Sequence, residues 1–163
     1  MPMSTPKEAL RAGMGALIGL GVAGFLLSFF DLQGAGLYLI APFGASSVLL
    51  FAVPNSPLAQ PWSAIVGNSV SALAGIAVCH MVSDPVLCVA LAVGVAIAAM
   101  ILLRAVHPPG GAVAMVAAMS PDLVTDLGFR FAVTPVGVVT SILVLIAVFY
   151  ARATGRTYPL RHF

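Results

Sequence analysis

Residues 32–83 form an unbroken run without a charged side chain, and they read LQGAGLYLIAPFGASSVLLFAVPNSPLAQPWSAIVGNSVSALAGIAVCHMVS. A helix that crosses the hydrocarbon core of a bilayer needs about 20 apolar residues, so this run is long enough for two of them. The break between them is Pro54-Asn55-Ser56-Pro57-Leu58-Ala59-Gln60-Pro61, because three prolines so close together cannot lie inside one helix. The stretch therefore predicts two membrane segments joined by a short turn.

The composition of the whole chain points the same way. Of its 163 residues, 61% are hydrophobic and only 7% are charged. Soluble domains average about 25% charged residues, so this chain cannot coat a water-facing surface. A soluble enzyme is excluded, and so is a disordered chain, which requires low hydrophobicity. We predict an all-α membrane protein that forms a single transmembrane domain over residues 1–163.

The charged and metal-binding side chains exclude further classes of protein. Seven Lys and Arg residues against five Asp and Glu residues leave no basic face for nucleic acid. No apolar segment contains a carboxylate for acid–base catalysis, and the sequence has no metal-binding or nucleotide-binding motif. We therefore expect no enzymatic activity, no cofactor, no metal and no nucleic-acid partner.

Uncharged stretches predict six apolar segments, at residues 12–30, 36–53, 62–82, 85–103, 107–120 and 131–151. Four of them are long enough to be full transmembrane helices. The second segment is interrupted at Pro42, and the fifth opens with Pro108 and Pro109. After these prolines each segment has room for a helix of only about half the hydrocarbon thickness. We predict four full helices and two half-helices.

The two short segments resemble each other at an offset of 67 residues. Pro42-Phe43-Gly44-Ala45 corresponds to Pro109-Gly110-Gly111-Ala112, and each unit ends at a proline, Pro54 and Pro121. This correspondence predicts an inverted repeat of three segments and three segments, with halves at about 10–82 and 85–151. Coincidence in a sequence rich in Ala, Gly and Pro is the alternative explanation.

Charges at the segment ends predict the topology. If all six segments cross and the N-terminus is cytoplasmic, six basic residues lie inside and one lies outside, as the positive-inside rule prefers. If the short segments only dip into the membrane, Arg104 moves outside and the rule is followed less well. Both arrangements place the two termini in the cytoplasm. The inner side of the six-crossing arrangement carries Lys7, Glu8, Arg11, Arg104, Arg152, Arg156 and Arg161, and the outer side carries Asp31, Asp84, Asp122, Asp126 and Arg130.

The starts of the two half-helices predict a binding site for an anion. The first backbone N–H groups of a helix lack partners within the helix and carry partial positive charge. Paired interrupted segments in two halves of a chain are typical of substrate sites in transporters. Small residues let a ligand approach the backbone, although they also serve close helix packing. The candidate binding residues at these starts are Gly44, Ala45, Ser46, Ser47, Pro109, Gly110, Gly111 and Ala112.

Three further polar residues are candidates for the same site. His107 is an ionisable group beside a break in a membrane segment, and such groups are functional candidates that can carry a proton. Arg104 could attract an anion at the inner mouth or anchor the chain at the lipid headgroups. Asn68 could line the path or hydrogen-bond a neighbouring helix. Gly67, Ser71 and Gly75 are read as a packing ridge.

The stretch Arg104-Ala105-Val106-His107-Pro108-Pro109-Gly110-Gly111-Ala112 resembles the signature of the HPP family of integral membrane proteins. The stretch from Phe43 to Phe51 and the turn from Pro54 to Pro61 resemble that family's first block. The resemblance implies a protein of the bacterial inner membrane. It also implies functional roles for the residues that match the family's two motifs, which are His107, Pro108, Pro109, Gly44, Ala45 and Ser46. Relatives in chloroplasts and cyanobacteria are associated with nitrite transport. Family members are usually described with four spans.

These observations together predict a membrane transporter for a small inorganic anion, with nitrite first and nitrate second. A passive anion channel and a membrane sensor or assembly partner without transport are the alternatives. Because so small a chain buries few helices, we expect a homodimer or homotrimer in the lipid bilayer.

Overall fold

A computed structural model describes residues 5–29, 35–120 and 126–160. Its helices are α1 (Pro6–Leu27), α2 (Ala35–Ser47), α3 (Pro61–Cys79), α4 (Pro85–Leu102), α5 (Pro109–Met119) and α6 (Val138–Ala153). A π-helical turn, Val48–Ala52, continues α2, and a second π-helical segment, Ala132–Gly137, leads into α6. All regular structure in the described ranges is helical, as predicted. The residues Asp31, Pro121, Asp122, Arg161 and His162 lie outside the described ranges.

Within the described ranges four helices are long and apolar enough to cross a membrane, which confirms the predicted number of full spans. They are α1, α3, α4 and the continuous stretch Ala132–Ala153 that contains α6. The fifth predicted segment forms the short helix α5 of 11 residues, and it begins at Pro109. Proline is suited to this position because the N–H that it lacks would have no partner within the helix.

Capping residues explain where two of the long helices begin. The Thr5 hydroxyl accepts from the backbone N–H of Glu8, and the Glu8 carboxylate accepts from the backbone N–H of Thr5 at 3.0 Å. This reciprocal pair starts α1 six residues before the predicted residue 12. At α4 the Asp84 carboxylate caps the backbone N–H of Leu87 at 2.8 Å, and the helix begins at the predicted residue 85.

The predicted start of a half-helix at Pro42 is wrong. Helix α2 begins at Ala35 and continues through Pro42 to Ser47 before the π-helical turn. A proline inside a helix removes one backbone hydrogen bond, and membrane helices tolerate this loss when neighbouring groups pack around the site. Pro42 and Phe43 are fully buried here. Gly44 therefore lies within a helix, whereas Gly110 lies at the start of one.

One end of the bundle gathers the start of α1, the turn at 54–61, the end of α4 and the end of α6. Tyr150 Oη donates to the carbonyl of Arg11 at 2.9 Å, and Trp62 Nε1 donates to the carbonyl of Leu103 at 3.1 Å. The Arg156 guanidinium also pairs with Glu8 at 3.2 Å. At the other end the His80 ring, after α3, stacks on the ring of Phe129, before α6. We call the first end the basic end.

Small residues on α1 and α3 let large groups approach the helix backbones. The Phe51 ring packs on Gly15 and Gly19 of α1, where an added Cβ would lie within 2.5–2.9 Å of ring atoms. On α3, an added Cβ at Gly75 would lie 2.6 Å from the carbonyl oxygen of Ala114 in α5. These contacts show that both ridges of small residues serve close packing.

Candidate functional site

His107 lies in the connection between α4 and α5 and is completely buried. Its Nδ1 lies 2.8 Å from the carbonyl oxygen of Leu58, and its Nε2 lies 2.9 Å from Ser46 Oγ on α2. A carbonyl oxygen only accepts, so Nδ1 carries the proton and donates it. In the neutral ring Nε2 is then the acceptor, and the Ser46 hydroxyl donates to it.

Asn68 of α3 extends this network to a third helix. Its Nδ2 donates to Thr140 Oγ1 on α6 at 3.2 Å and lies 3.5 Å from Ser46 Oγ, at the limit of a hydrogen bond. Ser71 follows Asn68 one turn along α3 and is also fully buried. We refer to Ser46, Asn68, Ser71, His107 and Thr140 as the polar cluster.

Two side-chain atoms of the polar cluster have no hydrogen-bond partner in the part of the chain that the structure describes, although both are shielded from solvent. They are the carbonyl oxygen Oδ1 of Asn68 and the hydroxyl oxygen of Ser71. A buried polar atom without a partner costs about 1–3 kcal/mol. Such atoms call for an explanation, which in a membrane protein includes the binding of a polar solute.

Glycines allow the connection that carries His107 to lie directly on α3. An added Cβ at Gly67 would lie 2.6 Å from the carbonyl oxygen of Ala105 and 2.8 Å from His107 Cβ. An added Cβ at Gly110 would lie 2.6 Å from Ser71 Oγ and 3.0 Å from the carbonyl oxygen of Gly67. A side chain at either glycine would push His107 or α5 away from α3.

The backbone N–H groups at the start of α5 already donate hydrogen bonds to carbonyl groups of the preceding turn. The N–H of Gly110 donates to the carbonyl of His107 at 2.8 Å, and that of Gly111 donates to the carbonyl of Pro108 at 3.0 Å. Pro109 has no N–H. An anion could accept from these two donors only if the turn opened.

The structure places the predicted site residues in two groups. Ser46, Asn68 and His107 meet in the polar cluster, and Pro109 and Gly110 are buried beside it. The other predicted residues do not join the cluster. Ser47 is buried, but its hydroxyl donates to the carbonyl of Phe43 in its own helix at 2.9 Å. Gly44, Gly111 and Ala112 are half-buried, and Ala45, Arg104 and Pro108 are exposed.

Sequence reasoning missed the roles of Thr140 and Ser71. Thr140 lies 72 residues from its partner Asn68, so no local pattern links them. Its one available signal was its position as a polar residue in the apolar segment 131–151. Ser71 was read as part of a packing ridge, although its spacing of three from Asn68 places both on one face of α3.

The basic end of the bundle is closed next to Leu58. Tyr158, which follows α6, is buried, and its Oη donates to the carbonyl of Ala59 at 2.7 Å. Burial raises the pKa of Tyr158 above its ordinary value. The backbone N–H of Leu160 donates to Gln60 Oε1 at 3.0 Å. The segment after α6 thus covers the turn that holds the carbonyl partner of His107.

The polar cluster contains no carboxylate, lysine or arginine, so its chemistry is that of hydroxyls, one amide and one imidazole. These groups donate and accept hydrogen bonds without fixed charge. Within the described ranges, no group of three or more His, Cys, Asp or Glu side chains could hold a metal ion. The cluster can therefore donate and accept hydrogen bonds but offers no charged group.

Comparison with known proteins agrees with this membrane fold. The family model described as "HPP, transmembrane region" matches residues 1–159. Two proteins of Dictyostelium discoideum, each named a transmembrane protein, are similar to the chain. One is 35% identical over 152 residues, and the match covers 90% of this chain and 49% of that protein. The other is 37% identical over 127 residues, and the match covers 75% of this chain and 44% of that protein. The chain thus spans about half the length of these relatives, and no solved structure matches it. The chain belongs to the HPP transmembrane family.

Proposed function

We propose that this protein carries a small inorganic anion across the membrane, nitrite first and nitrate second, by way of the polar cluster. The observation that supports the proposal is the cluster itself. Three helices and one connection bring five polar residues into a fully buried place, and the Ser71 hydroxyl, which can donate to an anion, has no partner among the described residues. Polar groups are costly in a membrane protein, and those found there commonly mark a solute path.

The side chains of the cluster supply suitable donors for an oxyanion. The hydroxyls of Ser71 and Thr140 and the amide of Asn68 can each donate a hydrogen bond to a bound oxygen. His107 adds a fourth donor when it binds a proton, because its Nδ1 proton is already given to Leu58 and the new proton goes to Nε2. An anion and a proton that cross together move no net charge.

The complete burial of the cluster favours a carrier over a passive channel. Each of the five residues is 0% exposed, so none of these side chains is open to either side of the bundle. Substrate can reach them only after helices separate. The contacts between Ser46 and His107 and between Gly67 and Ala105 join α2, α3 and the α4–α5 connection. We propose that these contacts open on one side of the membrane at a time.

The helix order supports a six-crossing arrangement built as an inverted repeat. A long helix, a short helix and a long helix follow one another in each half of the chain. Lys7, Arg11, Arg104 and Arg156 share the basic end, which we propose faces the cytoplasm, as the positive-inside rule prefers. Both termini then lie in the cytoplasm of a bacterial cell. We further propose that the protein is a homo-oligomer in the inner membrane, and that it transports without catalysing a reaction.

Uptake of nitrite into liposomes tests the proposed function. The full chain is reconstituted, and uptake is followed with and without an inward proton gradient. We expect saturable uptake that the gradient accelerates, and at least a tenfold loss in His107→Ala. The matched control is His80→Ala, because this exposed histidine lies outside the polar cluster, against the carbonyl of Ile76 and the Phe129 ring.

A second variant separates loss of transport from loss of folding. His107→Gln keeps a hydrogen-bonding side chain that can bridge Leu58 and Ser46, and we expect it to fold but to lose the response to the proton gradient. Nitrite uptake in both His107 variants at the wild-type rate and with the wild-type pH response would refute the role of His107. Linear uptake without saturation would instead indicate a channel, and a lack of uptake for nitrite and nitrate would favour a sensor or assembly partner.

A further inference from the structure

An arginine with one guanidinium nitrogen that lacks a hydrogen-bond acceptor among the described residues lies at the basic end, away from the polar cluster. Nη2 of Arg11 is buried without a hydrogen-bond partner among the described residues. The nearby carboxylate of Glu8 is already engaged, since it accepts from Arg156 Nη2 at 3.2 Å and from the backbone N–H of Thr5 at 3.0 Å. A guanidinium nitrogen without a partner is costly where water cannot reach it.

The same arginine lines a pocket on the outside of α1. The pocket has a volume of about 580 Å³ and is bordered by Thr5, Lys7, Glu8, Leu10, Arg11, Met14, Tyr150 and Thr154. Lys7 and Arg11 are four residues apart and so lie on one face of the helix. Two cations, Lys7 and Arg11, border the pocket together with Glu8, whose carboxylate is paired with Arg156. An anionic group in the pocket would lie beside both cations.

The wall of the pocket that continues along α1 is apolar. Leu10 and Met14 border the pocket, and their side chains are 68% and 44% exposed. Leu17, two turns beyond Leu10, is 66% exposed. Because α1 is one of the four helices in the described ranges that are long and apolar enough to cross a membrane, we place these exposed apolar side chains against lipid tails.

We propose that this pocket binds an anionic glycerophospholipid, with its phosphate on Arg11 and Lys7 and its acyl chains along Leu10, Met14 and Leu17. The phosphate would lie between Lys7 and the part of the Arg11 guanidinium that borders the pocket, and guanidinium groups bind phosphate with good geometry. Basic residues at the membrane surface attract anionic lipids in this way. A free phosphate ion would use the same cations but gains nothing from the apolar wall. The site does not depend on what the protein transports.

Native mass spectrometry of the full chain in detergent tests this site. The protein is titrated separately with phosphatidylglycerol, phosphatidylcholine and inorganic phosphate. We expect phosphatidylglycerol to bind more tightly than phosphatidylcholine. Each of Arg11→Gln and Lys7→Gln should weaken phosphatidylglycerol binding by about fivefold, since one basic residue near the surface contributes about that factor. The control is Arg130→Gln, which removes an exposed arginine next to Phe129, at the end of the bundle away from the pocket.

Lys7→Gln keeps the test decisive if Arg11→Gln folds poorly, because Lys7 is exposed. Equal binding of the two lipids by the wild type, or full phosphatidylglycerol binding by Lys7→Gln and Arg11→Gln, would overturn the proposal. Binding of inorganic phosphate that the variants lose, without any preference for phosphatidylglycerol, would overturn the lipid as occupant.

Discussion

Replacing Gly67 with alanine should disturb the polar cluster without touching any of its polar groups. The new Cβ would lie 2.6 Å from the carbonyl oxygen of Ala105 and 2.8 Å from His107 Cβ. Ordinary contacts at a Cβ begin near 3.4 Å, so the connection between α4 and α5 must move by about 3.4 − 2.6 = 0.8 Å. The closest atom belongs to the backbone and cannot rotate away. Overpacking of this kind costs about 1–3 kcal/mol.

Thermal unfolding of the purified protein in detergent measures this cost. A loss of that size lowers the midpoint of a chain this long by roughly 2–12 °C, since each kcal/mol corresponds to roughly 2–4 °C. Gly94→Ala is the matched control, because Gly94 lies within α4 and an added Cβ meets nothing within 4 Å. That change should leave the unfolding midpoint unchanged or raise it slightly, because alanine within a helix is more stable than glycine at the same position. Equal midpoints for the two variants would refute the account of Gly67.

Two further predictions concern the packing that supports the site. Phe51→Ala should lower the free energy of unfolding by about 3–5 kcal/mol, because it empties the space that the ring fills against Gly15. Phe149→Ala is the control in the same unfolding assay and should have little effect, because Phe149 is 64% exposed. Tyr158→Phe should cost about 1–3 kcal/mol at neutral pH, because the buried carbonyl of Ala59 loses its donor. Burial raises the pKa of Tyr158. The contribution of the Tyr158 hydroxyl to the free energy of unfolding is therefore intact below about pH 10 and is lost as the pH rises further. The difference in free energy of unfolding between wild type and variant should narrow in unfolding curves recorded at higher pH. A constant difference across that pH range would contradict the role of the buried phenol.

The sequence was sufficient to locate the long helices, because charge and proline mark their ends. Pro85 follows the cap Asp84, so the predicted start of α4 coincides with the observed one. The half-helix predicted to start at Pro42 was wrong, because a proline breaks most helices of soluble proteins. Here Pro42 is buried among packed helices, and α2 continues through it. The order of residues within one segment does not show how neighbouring helices compensate for a lost backbone hydrogen bond.

The candidate site was predicted in part for a similar reason. His107, Ser46 and Asn68 each stand out as polar groups in apolar segments, and they do meet. Thr140 becomes informative only when folding brings α6 against α3, and periodicity within one segment contains no information on that pairing. The N–H groups at the start of α5 were expected to be free, but the turn at Pro108 uses them.

Two neighbouring serines offer the most direct test of the claim that the polar cluster is the transport site. Ser46 donates to His107, whereas the equally buried hydroxyl of Ser47 bonds only to its own helix at Phe43. Nitrite uptake into liposomes is measured for the wild type, Ser46→Ala and Ser47→Ala at matched protein content. The account predicts at least a tenfold loss of uptake in Ser46→Ala and near wild-type uptake in Ser47→Ala. Wild-type uptake in Ser46→Ala, or an equal loss in both variants, would contradict it.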